Sequence, residues 1–175
     1  MPPRQVLLLA LFGTALPISV ACVNNPVHDD EVAALGPEDP AVPPGPDHRP
    51  GQPCLVCHGP FGPAQVQFAV GGTVYEAEGQ SAPAVSAVVG IEDISGAKIE
   101  ATTNDVGNFY VLLRDDNPKY PLKTSVASAD GSVVQTMQTY IARNGSCASC
   151  HESVPSATSP GPVVLSTGAD AAGGG

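Results

Sequence analysis

One five-residue pattern, C-x-x-C-H, occurs twice: Cys54-Leu55-Val56-Cys57-His58 and Cys147-Ala148-Ser149-Cys150-His151. With 5 Cys and 4 His in 175 residues, about 0.003 accidental matches are expected, so chance is a poor explanation. Thiols at i and i+3 adjoin on one helical turn, and the next residue sets an imidazole beside them. That arrangement suits two thioether bonds to the vinyl groups of one porphyrin, with the imidazole on the iron. The spacing therefore points to two covalent haem c groups. Cys54, Cys57, Cys147 and Cys150 are the attachment candidates, and His58 and His151 the proximal ligands.

The first 21 residues read as a secretory signal. Arg4 supplies the positive end, Val6 to Phe12 the apolar stretch, and Ser19-Val20-Ala21 the small residues before a cleavage point. The apolar run, broken by Gly13 and Pro17, is too short for a membrane span. Cys22 is the odd cysteine. Its setting resembles the lipobox cysteine of bacterial lipoproteins, with Ser19 standing where that family usually has Leu. The resemblance implies an exported protein, periplasmic or at the cell surface, held to a bacterial membrane by acyl chains on Cys22. The alternative is ordinary cleavage after Ala21, leaving Cys22 a free thiol.

Residues 22–52 are acidic and Pro-rich, and the expectation is an extended, partly disordered tether. His28 and His48 lie in it as candidate distal iron ligands, with His48 six residues before Cys54. Residues 53–63 form the first C-x-x-C-H segment. From residue 64 to 142 the pattern changes to short runs of period two: Gln67–Tyr75, Val85–Asp93, Lys98–Thr103, Asn108–Leu113, Leu122–Ser128 and Ser132–Tyr140. The pair Gly71-Gly72 suggests a bulge or a close backbone approach. In the run from Asn108, Phe109, Val111 and Leu113 share one face, and Tyr110 and Leu112 the other. Turn signals every 8–12 residues, without helical periodicity, predict a mainly β chain: a small antiparallel β-sandwich flanked by two haem-attachment turns. Residues 143–152 hold the second turn. Residues 153–175, rich in Ser, Pro, Ala and Gly, are expected to be disordered.

Gly72-Thr73-Val74-Tyr75, Ile91-Glu92-Asp93, Ala101-Thr102-Thr103-Asn104 and Gly107-Asn108-Phe109-Tyr110-Val111 together resemble the carboxypeptidase regulatory-like sandwich domains over roughly residues 68–137. Those are transthyretin-like folds used as spacers and binding modules, so the resemblance implies architecture rather than activity. The paired C-x-x-C-H strings resemble the multihaem c-type cytochromes, although neither string sits in a long helical cytochrome c pattern. If the sandwich brings its two ends together, both strings share one pole. Met137 is a third candidate for a distal ligand.

Two other chemistries compete. A zinc site made of the four paired cysteines suits the knuckle pattern, but 89 residues separate Cys57 from Cys147 where 15–20 is usual. Alternatively, oxidising conditions close two disulfides and the protein is an envelope binding module without redox activity. Signatures of hydrolases, zinc proteases and phosphate-binding loops are absent from the sequence, which favours a carrier over an enzyme. The formal charge is −10, and loss of Arg4 with the signal leaves 6 basic against 17 acidic side chains. So acidic a surface argues against nucleic acid and fits a basic redox partner in the cell envelope.

Overall fold

The structure, a computed structural model, describes residues 25–79, 81–114 and 117–166. The proposed signal, Cys22 and the last nine residues lie outside the described part. Seven strands form two sheets: β1 (Phe68–Ala77), β2 (Val88–Glu92), β3 (Lys98–Thr102), β4 (Asn108–Leu112), β5 (Lys123–Ala127), β6 (Val134–Thr136) and β7 (Val163–Ser166). One sheet runs β4-β1-β7, the other β3-β2-β5-β6. All neighbours are antiparallel except β1 and β7. The chain is a small β-sandwich, as its periodicity predicts.

The core lies between the sheets. Val70, Val74, Phe109 and Leu165 come from the first sheet, Val89, Ile91 and Val126 from the second, and Leu122 closes one end. In β2 burial alternates, with Val89 and Ile91 inward, which is the period-two pattern carried into packing. β1 does not alternate: residues 69–74 are all buried. The helical turn α2 (Cys54–His58) covers its outer face at Gly71. The 3₁₀ turn Cys147–Ser149 packs against the same strand from its edge, where Ser146 bridges Gly71. The register shift of β1 lies between Phe68 and Val70 rather than at the glycines, which pair regularly with Tyr110 and Phe109 and instead admit the close approach of Cys54 and Cys147.

Side-chain carboxylates and amides hold the corners. Asn104 Oδ1 accepts from Val106 N and Asn108 N at 3.2 and 2.8 Å, and Gly107 takes φ +79° to complete the turn. Asp93 accepts from the backbone N–H groups of Ser95, Ala97 and Lys119 at 2.7, 3.1 and 3.1 Å. It thereby joins the β2–β3 turn to the segment leading into β5.

Two segments depart from the sequence reading. The stretch 25–52 is ordered rather than a loose tether. A helix, α1 (Pro26–Ala34), starts on an Asn25 cap with Pro26 in its first turn. The following strap is held by polar groups. Arg49 donates to Leu35 O and Gly36 O at 3.1 and 2.6 Å, Asn108 Nδ2 donates to Pro46 O and His48 O at 3.1 and 3.0 Å, and Gly51 N donates to Thr73 Oγ1 at 2.7 Å. Composition registers buried apolar area, not a chain tied down by its carbonyls, so Pro content alone misleads here. The tail is likewise structured as far as residue 166. β7 pairs in parallel with β1, Val74 opposite Val163, and places Leu165 in the core. Its four-residue run was masked by the Ser, Pro and Gly around it.

Replacing Leu165 with Ala is expected to cost about 2–4 kcal/mol, read from urea unfolding; a neutral result would mean that β7 adds no core. Hydrogen bonds from Ser95, then from Lys119 N, draw the Asp93 carboxyl from 3.8 to about 2. The folded form holds the charged carboxylate better than the unfolded chain. Its contribution is therefore full above about pH 4 and lost as pH falls toward 2. Asp93→Asn should flatten the acid limb of a stability–pH curve over that window.

Candidate functional site

The first C-x-x-C-H string forms α2, and Ala64 N returns to Cys57 O at 3.0 Å, folding the chain back under the turn. His58 Nδ1 meets Val66 O at 2.8 Å. A carbonyl only accepts, so this nitrogen carries the proton and Nε2 presents a free lone pair. The His58 ring stacks on Phe68 at 4.1 Å and 6°, and Phe68 stacks on Tyr110 at 4.5 Å and 12°. Imidazole orientation is thus fixed by one hydrogen bond and one ring face.

The polar strap delivers a second imidazole. His48 lies with its ring centroid 5.6 Å from that of His58, inclined by 38°. His48 Nδ1 faces Gly45 O, so in the neutral ring Nε2 is again the nitrogen with the free lone pair. Both histidines, both thiols of the first string, Phe68 and Tyr110 line one cavity of about 480 Å³. That volume lies in the range of ordinary cofactor sites. Two soft sulfurs, two basic nitrogens and aromatic walls around such a space fit a porphyrin with an iron at its centre.

The second string forms the 3₁₀ turn. His151 N donates to Cys147 O at 2.8 Å, and His151 Nδ1 meets Gly161 O at 2.9 Å, the same arrangement that frees Nε2 at His58. The donor set matches the first; the space does not. The cavity beside Cys147 and His151 measures about 10 Å³. Cys147 packs against the core while Cys150 is exposed. A group tied to this pair has no enclosed seat among the described residues.

The two strings do meet. Cys54 lies against Gly71 and Cys147 against Gly72, neighbours in β1. Burial pushes the Cys54 thiol up to about 11 and the Cys147 thiol up to about 12, the latter raised further by the Cys54 charge. Burial also raises Cys57, with Arg49 opposing it. The other distal candidates stay away. His28 sits in α1 with Nδ1 3.4 Å from a Glu31 oxygen, and Met137 lies beside the other sheet, its sulfur 3.5 Å from Thr124 Oγ1. Neither lines either of these cavities. Cys22 falls outside the described residues.

All four described cysteines are free thiols, and no group of three or more His, Cys, Asp or Glu among the described residues could hold a metal ion. The four-cysteine arrangement that zinc needs is therefore not assembled. Phe68 and Tyr110 were missed as site residues. Their signal was present in the sequence as aromatics at Phe68 and Tyr110 on the strand face opposite Val70 and Phe109. No protein-family model, no curated protein and no solved structure matches the chain.

In the thiol form, Cys150 is expected to react with iodoacetamide at pH 8 at least ~10-fold faster than Cys147, because the buried thiol is almost never a thiolate there. Peptide mass mapping over time reads this directly. Equal rates would contradict the buried position of Cys147.

Proposed function

We propose that the protein is an exported two-haem c-type cytochrome that carries single electrons in the cell envelope. The observation that carries the reading is the meeting of His48 and His58 in one cavity with Cys54 and Cys57. Each imidazole has Nδ1 committed to a carbonyl, so both present a free Nε2. Two imidazoles so prepared are more than an attachment turn alone requires.

In this reading Cys54 and Cys57 would hold one haem through thioether links, and His58 and His48 would be the ligands of its iron. Haem held in this way supplies one-electron Fe(III)/Fe(II) cycling. Two imidazole ligands would favour the ferric state relative to a His/Met pair and lower the potential. Phe68 and Tyr110 would give the site an aromatic wall. Cys147, Cys150 and His151 would hold the second haem, which the space of about 10 Å³ beside them does not enclose. The protein is a carrier rather than a catalyst, and its acidic surface suits a basic redox partner. Acyl chains on Cys22 anchor it, and the sandwich, read as a carboxypeptidase regulatory-like spacer, sets the distance from the membrane.

Expression with a cytochrome c maturation system, followed by intact mass and a reduced-minus-oxidised spectrum, tests this. Two covalent haems are expected, one lost in the Cys54→Ala/Cys57→Ala double variant and the other in Cys147→Ala/Cys150→Ala. His48→Ala should keep both haems but convert one ferric centre from low spin to high spin, read by electron paramagnetic resonance. A colourless mature protein would overturn the proposal in favour of a binding module.

A further inference from the structure

The strap between α1 and α2 is held by two separate sets of bonds. One side chain closes its neck. Arg49 donates to Leu35 O and Gly36 O at 3.1 and 2.6 Å, to Gln52 Oε1 at 2.8 Å and to Glu38 Oε1 at 3.5 Å, joining the two ends of the loop to each other. The second set fastens the loop to the sandwich. Asn104 Nδ2 donates to Pro46 O and Asp47 Oδ1 at 2.9 and 2.8 Å, Asn108 Nδ2 donates to Pro46 O and His48 O at 3.1 and 3.0 Å, and Gly51 N donates to Thr73 Oγ1 at 2.7 Å. The three anchoring side chains form one network, because Thr73 Oγ1 donates to Asn108 Oδ1 at 2.7 Å and Asn108 N donates to Asn104 Oδ1 at 2.8 Å. No strap residue belongs to the hydrophobic core.

The β3–β4 corner alone does not require asparagine. At 104 the side-chain oxygen makes the turn, and an aspartate oxygen serves such a turn equally well. At 108 the oxygen faces Thr73, which a carboxylate would also accept. What only the amide supplies at both positions is the N–H group, and both amides spend it on residues 46–48, the segment that carries the second imidazole. We propose that Asn104 and Asn108 are positioning residues for that imidazole. They latch a self-closed loop onto the sandwich, and the latch decides whether His48 stands opposite His58, ring centroids 5.6 Å apart, or swings away and leaves the cavity of about 480 Å³ open on that side. Hydrogen bonds exchanged for bonds to water on opening each contribute little, so such a loop opens before the core does. The movement makes and breaks no covalent bond. The use of His48 as an iron ligand rests on the cytochrome reading above; the latch itself is a property of the polypeptide.

Asn104→Asp and Asn108→Asp test it. Each keeps the bonds that the side-chain oxygen accepts and turns the strap-facing donor into an acceptor; at 104 it also sets a carboxylate against that of Asp47. In the haem-free protein, amide exchange at Gly51, followed by nuclear magnetic resonance, is expected to rise ~10-fold or more in both variants, with the β2 amides unchanged. Adding Asp47→Asn to Asn104→Asp sets a donor against an acceptor again and should recover most of the protection. In the matured protein, both single variants should give a high-spin ferric signal at the first site that added imidazole returns to low spin, and the swapped pair should give much less of it. Unchanged Gly51 exchange in both folded variants, a swapped pair as open as Asn104→Asp alone, or a low-spin first site that persists in both single variants overturns the proposal. If the exchange responds as expected but the wild-type chain takes up no haem, the latch is supported and the cytochrome reading falls.

Discussion

A strand buried on both faces must be covered from both sides, and in this protein β1 is where that requirement is concentrated. Its inner face meets the core through Val70 and Val74 and receives Cys147 at Gly72. Its outer face receives α2, with Cys54 at Gly71. The small residues at 71 and 72 make both approaches possible, because a side chain at either would crowd a cysteine. β4 lies along one edge and β7 along the other. Sheet order, the position of both motifs and the closure of the tail all follow from how this strand is covered.

The first site is built by different means from the core. No apolar cluster holds the strap that carries His48; hydrogen bonds from Asn104, Asn108 and Arg49, and one from Gly51 N to Thr73 Oγ1, do. Each satisfies backbone groups that would otherwise need water, and together they fix one imidazole opposite another. At the second site burial falls mainly on Cys147, with the end of the described chain folded over His151 through Gly161. The two sites thus share donor chemistry and differ in enclosure.

The sandwich was legible because β2 alternates over five residues and the Asn104–Gly107 corner states its own turn. Strand ends were less so. Val85–Ala87 read as strand by composition, yet Ser86 takes φ +58° and the chain bends there before β2 begins. β7 escaped notice because four residues in a Ser/Pro/Gly tail have no local period to declare them; only pairing with β1 makes them a strand. The attachment candidates could be read directly, since their spacing is local. Choosing among His28, His48 and Met137 could not, because that depends on a strap whose hydrogen-bond partners, Asn104 and Asn108, stand 57 to 62 residues away in the chain.

The central claim is that a haem occupies the space between His48 and His58, with its edge at Cys54 and Cys57. Crystals of the matured protein, measured at the iron absorption edge, test it most directly through the anomalous difference map. The account predicts two iron peaks, one between the Nε2 atoms of His48 and His58 and the other beside His151. A map without iron between His48 and His58 would contradict it.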